Sequence, residues 1–534
     1  MKKIYLLLTL IFVCMLSIVC KPDTHTILPV PTDGTIIKMD SEDQPKSKVR
    51  QAWFDLMHSA GPEQNWKFIE TQNAITQAKT KRALRSNYSQ SSNDREGEIV
   101  ANGRLEGIWR ERGSNNQAGS MVAINYFMEE DMLFGRSAGG TLWKGDRTGF
   151  NWEVVNQDFN FKSDLVEMRY NDQGTIRYIA GLNGQAVYSD DGGNSWLASE
   201  IMETSASAQV FNFVEVINGM MLILHKGHSI KDVTTYYSKD NGTTWQKSTI
   251  FDTANRDNIK IARVGNTNDI IAIEQINTDL TILYKWNHVT NTFEIINDGS
   301  DIGFGNNTKA NISAVFVDDH IRMYVRNHEN KLFISDDNGL TWQYSSDLLS
   351  TPWSVGFFVS PSDHTKILYG DIELYRSIDE GSSWSKVSDW WEYYDNVQEK
   401  IHADIMDIKE FVDPEDKPFT IVCNHGGISQ SYDYGKNLSN IGIYSLNISQ
   451  YYSVATHPEQ DEWIFAGSQD QGFQRGKIVG DEAVSLSQVI SGDYGHIVFS
   501  GIDNHLWTVY PGGWVTYYTD PISLFSSKSY ELES

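Results

Sequence analysis

Cysteine is nearly absent from this chain, with three in 534 residues. Cys14 and Cys20 fall in the leading segment, which leaves Cys423 alone in the rest. The folded part therefore has no internal disulfide and no thiolate-rich metal site. Cys423 itself reads as a small core residue. Positive charge is also scarce: 44 Lys and Arg stand against 70 Asp and Glu, for a formal charge of -26. Binding nucleic-acid phosphates needs a clustered basic face, so no nucleic-acid partner is expected. Such acidity favours solubility and repels anionic polymers. There is no P-loop, no dinucleotide fingerprint in a strand-to-helix setting, and no His-Glu-x-x-His metal motif. Long apolar runs are missing too, except one near the start.

That run, "IYLLLTLIFVCMLSIV", follows Lys2 and Lys3 and precedes Cys20. Its length suits an export signal and is short for a membrane span. Cys20 resembles the lipid-attachment site of bacterial lipoproteins. Three fates stay open: lipid attachment at Cys20, cleavage without lipid, or a retained anchor. The expectation is an exported protein, in the bacterial cell envelope or secreted, that meets a membrane only through an N-terminal lipid anchor. Residues 21–46, with "KPDTHTILPVPTDGT", read as a tether.

Residues 47–99 read as a helical brace. Val49, Ala52, Trp53, Leu56 and Met57 share one helix face, and Gly61-Pro62 ends that helix. A second, weaker helix begins near Asn65, with Trp66, Ile69 and Ile75 as its apolar members. From about residue 100 short apolar runs alternate with turn clusters, the language of strands.

Four phrases punctuate this region: "YSDDGGNSW" (188–196), "YSKDNGTTW" (237–245), "ISDDNGLTW" (334–342) and "RSIDEGSSW" (376–384). Worn copies end at Trp152, Phe293 and Leu438. Successive closing residues lie 44, 49, 48, 49, 42 and 54 positions apart. A period near 45–50 with four short strands per unit is the signature of a β-propeller blade. "YYSVATH", "EWIFAGS" and "AVSLSQVI" suggest another unit, and "HIVFSG", "HLWTVY" and "WVTYYT" one more. The total is about nine units. Three arrangements are open: a single larger ring, a seven-bladed ring plus the start of a second, or miscounted units. The terminal "SSKSYELES" shows no clear closing strand, and whether the chain is truncated there is left open.

In each phrase the Asp can accept hydrogen bonds from nearby backbone N–H groups. The Gly supplies a positive φ, and the Trp can fold back against the sheet. Asp191, Trp196, Asp240, Trp245, Asp337, Trp342, Asp379 and Trp384 are therefore read as structural. One identical turn per blade spreads its carboxylates around a ring, whereas a catalytic site needs groups that converge.

These phrases resemble Asp-boxes, or BNR repeats, found in sialidases, the sortilin family, xyloglucanases and many secreted bacterial propellers. "IWRERGSNNQAGSM", "LFGRSAGGTLWKGD", "KIHADIMDI", "CNHGGISQSYDYGKN" and "AGSQDQGFQ" extend the likeness over residues 100–534. The resemblance implies an all-β fold: a β-propeller of seven or more four-stranded Asp-box (BNR) blades behind a short helical N-terminal segment. In xyloglucanase-like enzymes a catalytic Asp precedes the Gly-Gly of the first blade, where this chain has Ser137 and Ala138. The Arg-Ile-Pro segment of sialidases is absent.

Ligand-binding candidates form two groups. His402, Asp404 and Asp407 in "IHADIMD", with His425 in "CNHGG", could bind a metal ion or handle a proton, and His402 and Asp404 at i and i+2 are expected on one strand face. The plainer alternative is a hydrogen-bonded pair that fixes the start of a blade. Asp470 in "GSQDQG" and Asp493 in "SGDYGH" read as turn residues, Asp470 being kept as a ligand candidate. Trp390, Trp391, Tyr393 and Tyr394 in "DWWEYYDN" could stack on sugar rings or simply pack under the next blade. No catalytic residue, metal site or cofactor is assigned, and calcium is left open. The expected function is binding of a glycan or a protein partner on the central face. A glycoside hydrolase or lyase is the alternative, and an assembly factor for another protein the third reading. Oligomeric state is not assigned.

Overall fold

The computed structural model describes residues 66–88 and 112–534, together with Trp53. Excepted are 202–208, 217–219, 227–232, 253–257, 266, 278–279, 300–309, 328, 351–355, 481, 511–513, 524–526 and 532–534. The expected signal, tether and Cys20 lie outside the described residues, as does the first brace helix apart from Trp53. One compact unit runs from Asn65 to Ser534. No helix among the described residues is long and apolar enough to cross a membrane.

A helix, α1 (Trp66–Tyr88), precedes the strands. Arg82 on α1 forms an ion pair with Asp158 at 2.6 Å and donates to the Gly193 carbonyl. Ile75 packs on the apolar core shared by the first two blades.

All that follows is β. Nine four-stranded antiparallel units succeed one another among the described residues. Blade 1 comprises Met121–Phe127, Met132–Ser137, Leu142–Asp146 and Glu153–Asn156. Blades 2 to 6 start at Phe161, Gln209, Ile259, Asn311 and Phe357. Blade 7 comprises Ile405–Val412, Pro418–Asn424, Gly427–Ser431 and Ser439–Asn440. Within a blade, the second strand is covered on both faces by neighbouring blades. Hence Ile270–Gln275 is buried throughout, whereas the outermost Ser385–Lys386 is exposed.

The ring closes at seven. Met121, Ile124, Leu133 and Trp143 of blade 1 share one apolar cluster with Phe419, Ile421, Cys423 and Ile428 of blade 7. Polar contacts cross the same seam. Lys409 Nζ donates to the Ile124 carbonyl at 2.7 Å, and Trp152 Nε1 donates to the Ile441 carbonyl at 2.7 Å. Arg147 Nη1 lies 3.3 Å from Asp413. Seven blades close the ring, and two further four-stranded blades follow it among the described residues.

Blade 8 comprises Tyr451–Thr456, Trp463–Ser468, Gly472–Lys477 and Ser487–Ile490. The chain entering blade 1 runs along it, with Asn115 N donating to the Val484 carbonyl and Asn116 Nδ2 to the Leu486 carbonyl. Blade 9 comprises Ile497–Ser500, His505–Tyr510, Trp514–Tyr518 and Ser527–Glu531. The last of these corrects the reading of "SSKSYELES". It is a paired strand whose alternating Ser, Lys and Tyr carry too little apolar signal to show in sequence.

The repeated phrase makes one turn, between the third and fourth strands of a blade. In blade 2, Ser195 N and Ser189 Oγ donate to Asp191 Oδ1 at 2.7 and 2.8 Å, and Ser195 Oγ donates to Oδ2 at 2.5 Å. Gly193 (φ +85°) closes the turn by donating to Ser189 Oγ at 3.0 Å. The same bonds recur at Asp240, Asp337 and Asp379. They recur also at Asp433, where Asn437 replaces Ser or Thr. Trp196 and Trp245 are buried, and Trp342 and Trp384 half-buried. The glycine also makes room between blades: a Cβ on Gly193 would stand 2.6 Å from Val155 of blade 1.

Candidate functional site

In an antiparallel blade, successive turns alternate between the two ends of the ring. The repeated Asp turns therefore lie at one end, with the turns that join first and second strands. At the other end lie the turns between second and third strands and the connections from one blade to the next. Most of the candidate residues sit at that second end.

The connection from blade 6 to blade 7 begins with a 3-10 turn, Trp390–Tyr394. Its start is capped reciprocally: Asp389 accepts from the turn's backbone, and Glu392 Oε1 accepts from Asp389 N at 3.1 Å. Lys386 Nζ ties it down, 2.7 Å from both Glu373 and Asp389, and Lys400 pairs with Glu392. Tyr393 is 1% exposed and packs edge-on against His402, ring centroids 4.7 Å apart. Trp390 and Trp391 remain 37% and 53% exposed, with their rings nearly perpendicular at 83°.

Three segments then converge. Asp404 lies just before the first strand of blade 7, His425 in the blade 7 hairpin between Asn424 and Gly427, and Asp470 in the corresponding hairpin of blade 8. His425 Nδ1 stands 2.7 Å from Asp470 Oδ2 and 3.1 Å from Asp404 Oδ2. At these distances both carboxylates stabilise a protonated ring. Burial pushes the imidazole pKa down, but the two carboxylates outweigh it and hold it up at about 9.

The backbone around these side chains is fixed. Asp404 N donates to the Ile372 carbonyl at 3.0 Å, and Asp470 N to Asp493 Oδ1 at 3.0 Å. Gln471 Nε2 donates to the His425 carbonyl at 3.1 Å, and Tyr394 Oη to the Asp470 carbonyl at 2.9 Å. Asp404 and Asp470 both have positive φ, +63° and +62°, a conformation Asp tolerates better than most residues.

His402 is 2% exposed. Its Nδ1 lies 3.0 Å from the Ala403 carbonyl, and its Nε2 lies 3.2 Å from Tyr394 Oη. Burial lowers its pKa, which favours the neutral ring.

The fold thus brings together Tyr393, Tyr394, His402, Asp404, His425 and Asp470, with Trp390 and Trp391 beside them. Asp407 is not in the group. It lies on the first strand of blade 7, paired with Lys409 at 3.3 Å near the seam with blade 1. His402 and Asp404 do not share a strand face: both precede the strand, and the positive φ of Asp404 breaks the two-residue alternation. Gln471, beside Asp470 in "GSQDQG", was not singled out in sequence, nor was the role of Asp493 in orienting Asp470.

No family model matches the chain, and no curated protein does. Among solved structures, YCF48 bound to D1 peptide is similar at 17% identity and TM-score 0.38, over 58% of this chain and 92% of that one. YCF48 from Cyanidioschyzon merolae is similar at 12% identity and TM-score 0.39, over 62% and 97%. The GH74 enzyme of Niastella koreensis is similar at 14% identity and TM-score 0.29, over 79% and 72%. The propeller architecture stands on the chain's own sheets and their closure.

Proposed function

We propose that the chain is an exported, lipid-anchored β-propeller of the Asp-box kind that binds a glycan at the loop end of blade 7. One observation carries this reading: Trp390 and Trp391 face solvent from a turn held by a capping box and two lysine bridges. Large indoles left exposed on a rigid support are preorganised for a ligand, so little ordering entropy is lost on binding. Sugar rings offer C–H faces to indoles and hydroxyls to nearby carboxylates and amides. The export and anchoring part rests on the leading apolar run and Cys20.

The hydrolase alternative needs two carboxyl groups about 5 Å or more apart with the scissile bond between them. Asp404 and Asp470 both contact His425 Nδ1, and their contacting atoms lie within 4.8 Å of each other. That sharing favours a binder over a hydrolase at this cluster.

Affinity electrophoresis of the full chain through gels containing plant, algal and host polysaccharides tests the proposal. Retardation by one polymer, lost in Trp390→Ala and Trp391→Ala, supports it. Retardation by none refutes the glycan reading and turns the search to a protein partner.

A further inference from the structure

We propose that Asp404, His425 and Asp470 bind a divalent transition-metal ion of the zinc class, which clamps blade 8 to the ring. Their ligand atoms lie within 4.8 Å of one another. They come from three separate segments, two in blade 7 and one in blade 8.

The donor set selects the ion. Calcium and magnesium favour shells of oxygen, six to eight in number for calcium. One imidazole nitrogen with two carboxylate oxygens suits zinc and its neighbours instead. Ligand bonds of about 2.0–2.2 Å place the donor atoms of a tetrahedral ion about 3.3–3.5 Å apart. From the present separations, the 3.1 Å contact opens by a few tenths of an ångström and the 2.7 Å contact by about 0.6–0.8 Å.

Charge points the same way. Charges drawn partly out of water gain from pairing or from coordinating a metal, and all three residues are half-buried. Two carboxylates and one imidazole bring two negative charges to one point. A divalent ion with a neutral imidazole balances both carboxylates. On binding, the ion displaces the Nδ1 proton to solvent and takes its place between the same three groups.

The outer contacts are in place. Asp493 holds Asp470 by its N–H, Tyr394 holds its carbonyl, and Gln471 holds the His425 carbonyl. Such partners fix ligand orientation in metal sites. Three protein ligands leave a fourth position for water or a ligand oxygen. This inference stands apart from the glycan reading, since a clamp between blades needs no sugar.

The test uses the full chain stripped with a chelator and dialysed. Zinc is titrated against a chromophoric chelator, and cobalt is added separately and followed by its visible absorption. One equivalent of zinc held against the competitor, with cobalt bands of four- or five-coordinate intensity, is expected. His425→Gln and Asp470→Asn should each weaken binding by more than the about 10–100-fold that loss of an outer partner costs, with unchanged circular dichroism. His320→Gln, on a different blade, should bind as the parent does. Absence of a tight equivalent in the parent chain overturns the proposal, whatever the variants do. So does a His425→Gln variant that binds as tightly as the parent.

Discussion

Replacing Asp240 by Ala should cost stability and leave binding alone. Asp240 Oδ1 accepts from Thr244 N at 2.9 Å and Ser238 Oγ at 2.8 Å, and Oδ2 accepts from Thr244 Oγ1 at 2.6 Å. A hydroxyl can rotate to another partner, so each of these two losses is small, about 0.5–1 kcal/mol. The Thr244 N–H cannot turn, and leaving a partly buried donor without an acceptor costs about 1–3 kcal/mol. The total is about 2–5 kcal/mol. For a cooperative unit spanning Asn65–Ser534, an unfolding entropy of about 2.1 cal/mol/K per residue gives about 1 kcal/mol/K. Scanning calorimetry should therefore show Tm lower by about 2–5 °C. Asp240→Asn keeps an acceptor for Thr244 N and should recover roughly half of the loss. An Asp240→Ala chain with unchanged Tm would refute the claim that this carboxylate holds the turn.

Acid should act through the same turns. Burial raises the carboxyl pKa at Asp191, Asp240, Asp337 and Asp433, but hydrogen bonds outweigh it and leave each below the usual value. At Asp379 the Ser383 hydroxyl is the largest influence and lowers it directly. A depressed folded pKa means stability that is full above the unfolded value of about 4 and lost as pH falls through the folded one. Between pH 5 and 3 the parent chain should lose more Tm than Asp240→Ala does. Gly193→Ala puts a Cβ at φ +85° and 2.6 Å from Val155. It should cost at least about 1–2 kcal/mol, read as a lower denaturation midpoint. Cys423 is fully buried and its thiol pKa is raised by that burial, so it should ignore a thiol reagent until the chain is unfolded.

What the sequence made legible was local. The Asp turn is set by residues within nine positions, so its hydrogen bonds could be named from the text, and its spacing gave the blades. Ring closure was not legible, because it depends on Met121 and Trp143 meeting Phe419 and Cys423 across nearly 300 residues. The candidate cluster was half legible. His402, Asp404 and His425 stand out as polar residues in apolar strand text, and Asp470 reads as an ordinary turn residue. Only the placement of blade 8 against blade 7 carries Asp470 onto His425. The strand-face argument for His402 and Asp404 failed because the left-handed conformation of Asp404 leaves no periodic trace.

The two ends of the ring differ: the repeated aspartates hold the turns of the blades, and the proposed function gives the turn of Trp390 and Trp391 the ligand. The most direct test is to measure the dissociation constant of the retarded polysaccharide for Asp240→Ala and Trp391→Ala side by side. The account predicts parental affinity with a lower Tm for the first, and lost affinity with a parental Tm for the second. Lost affinity in Asp240→Ala with an unchanged Tm, or full affinity in Trp391→Ala, would contradict it.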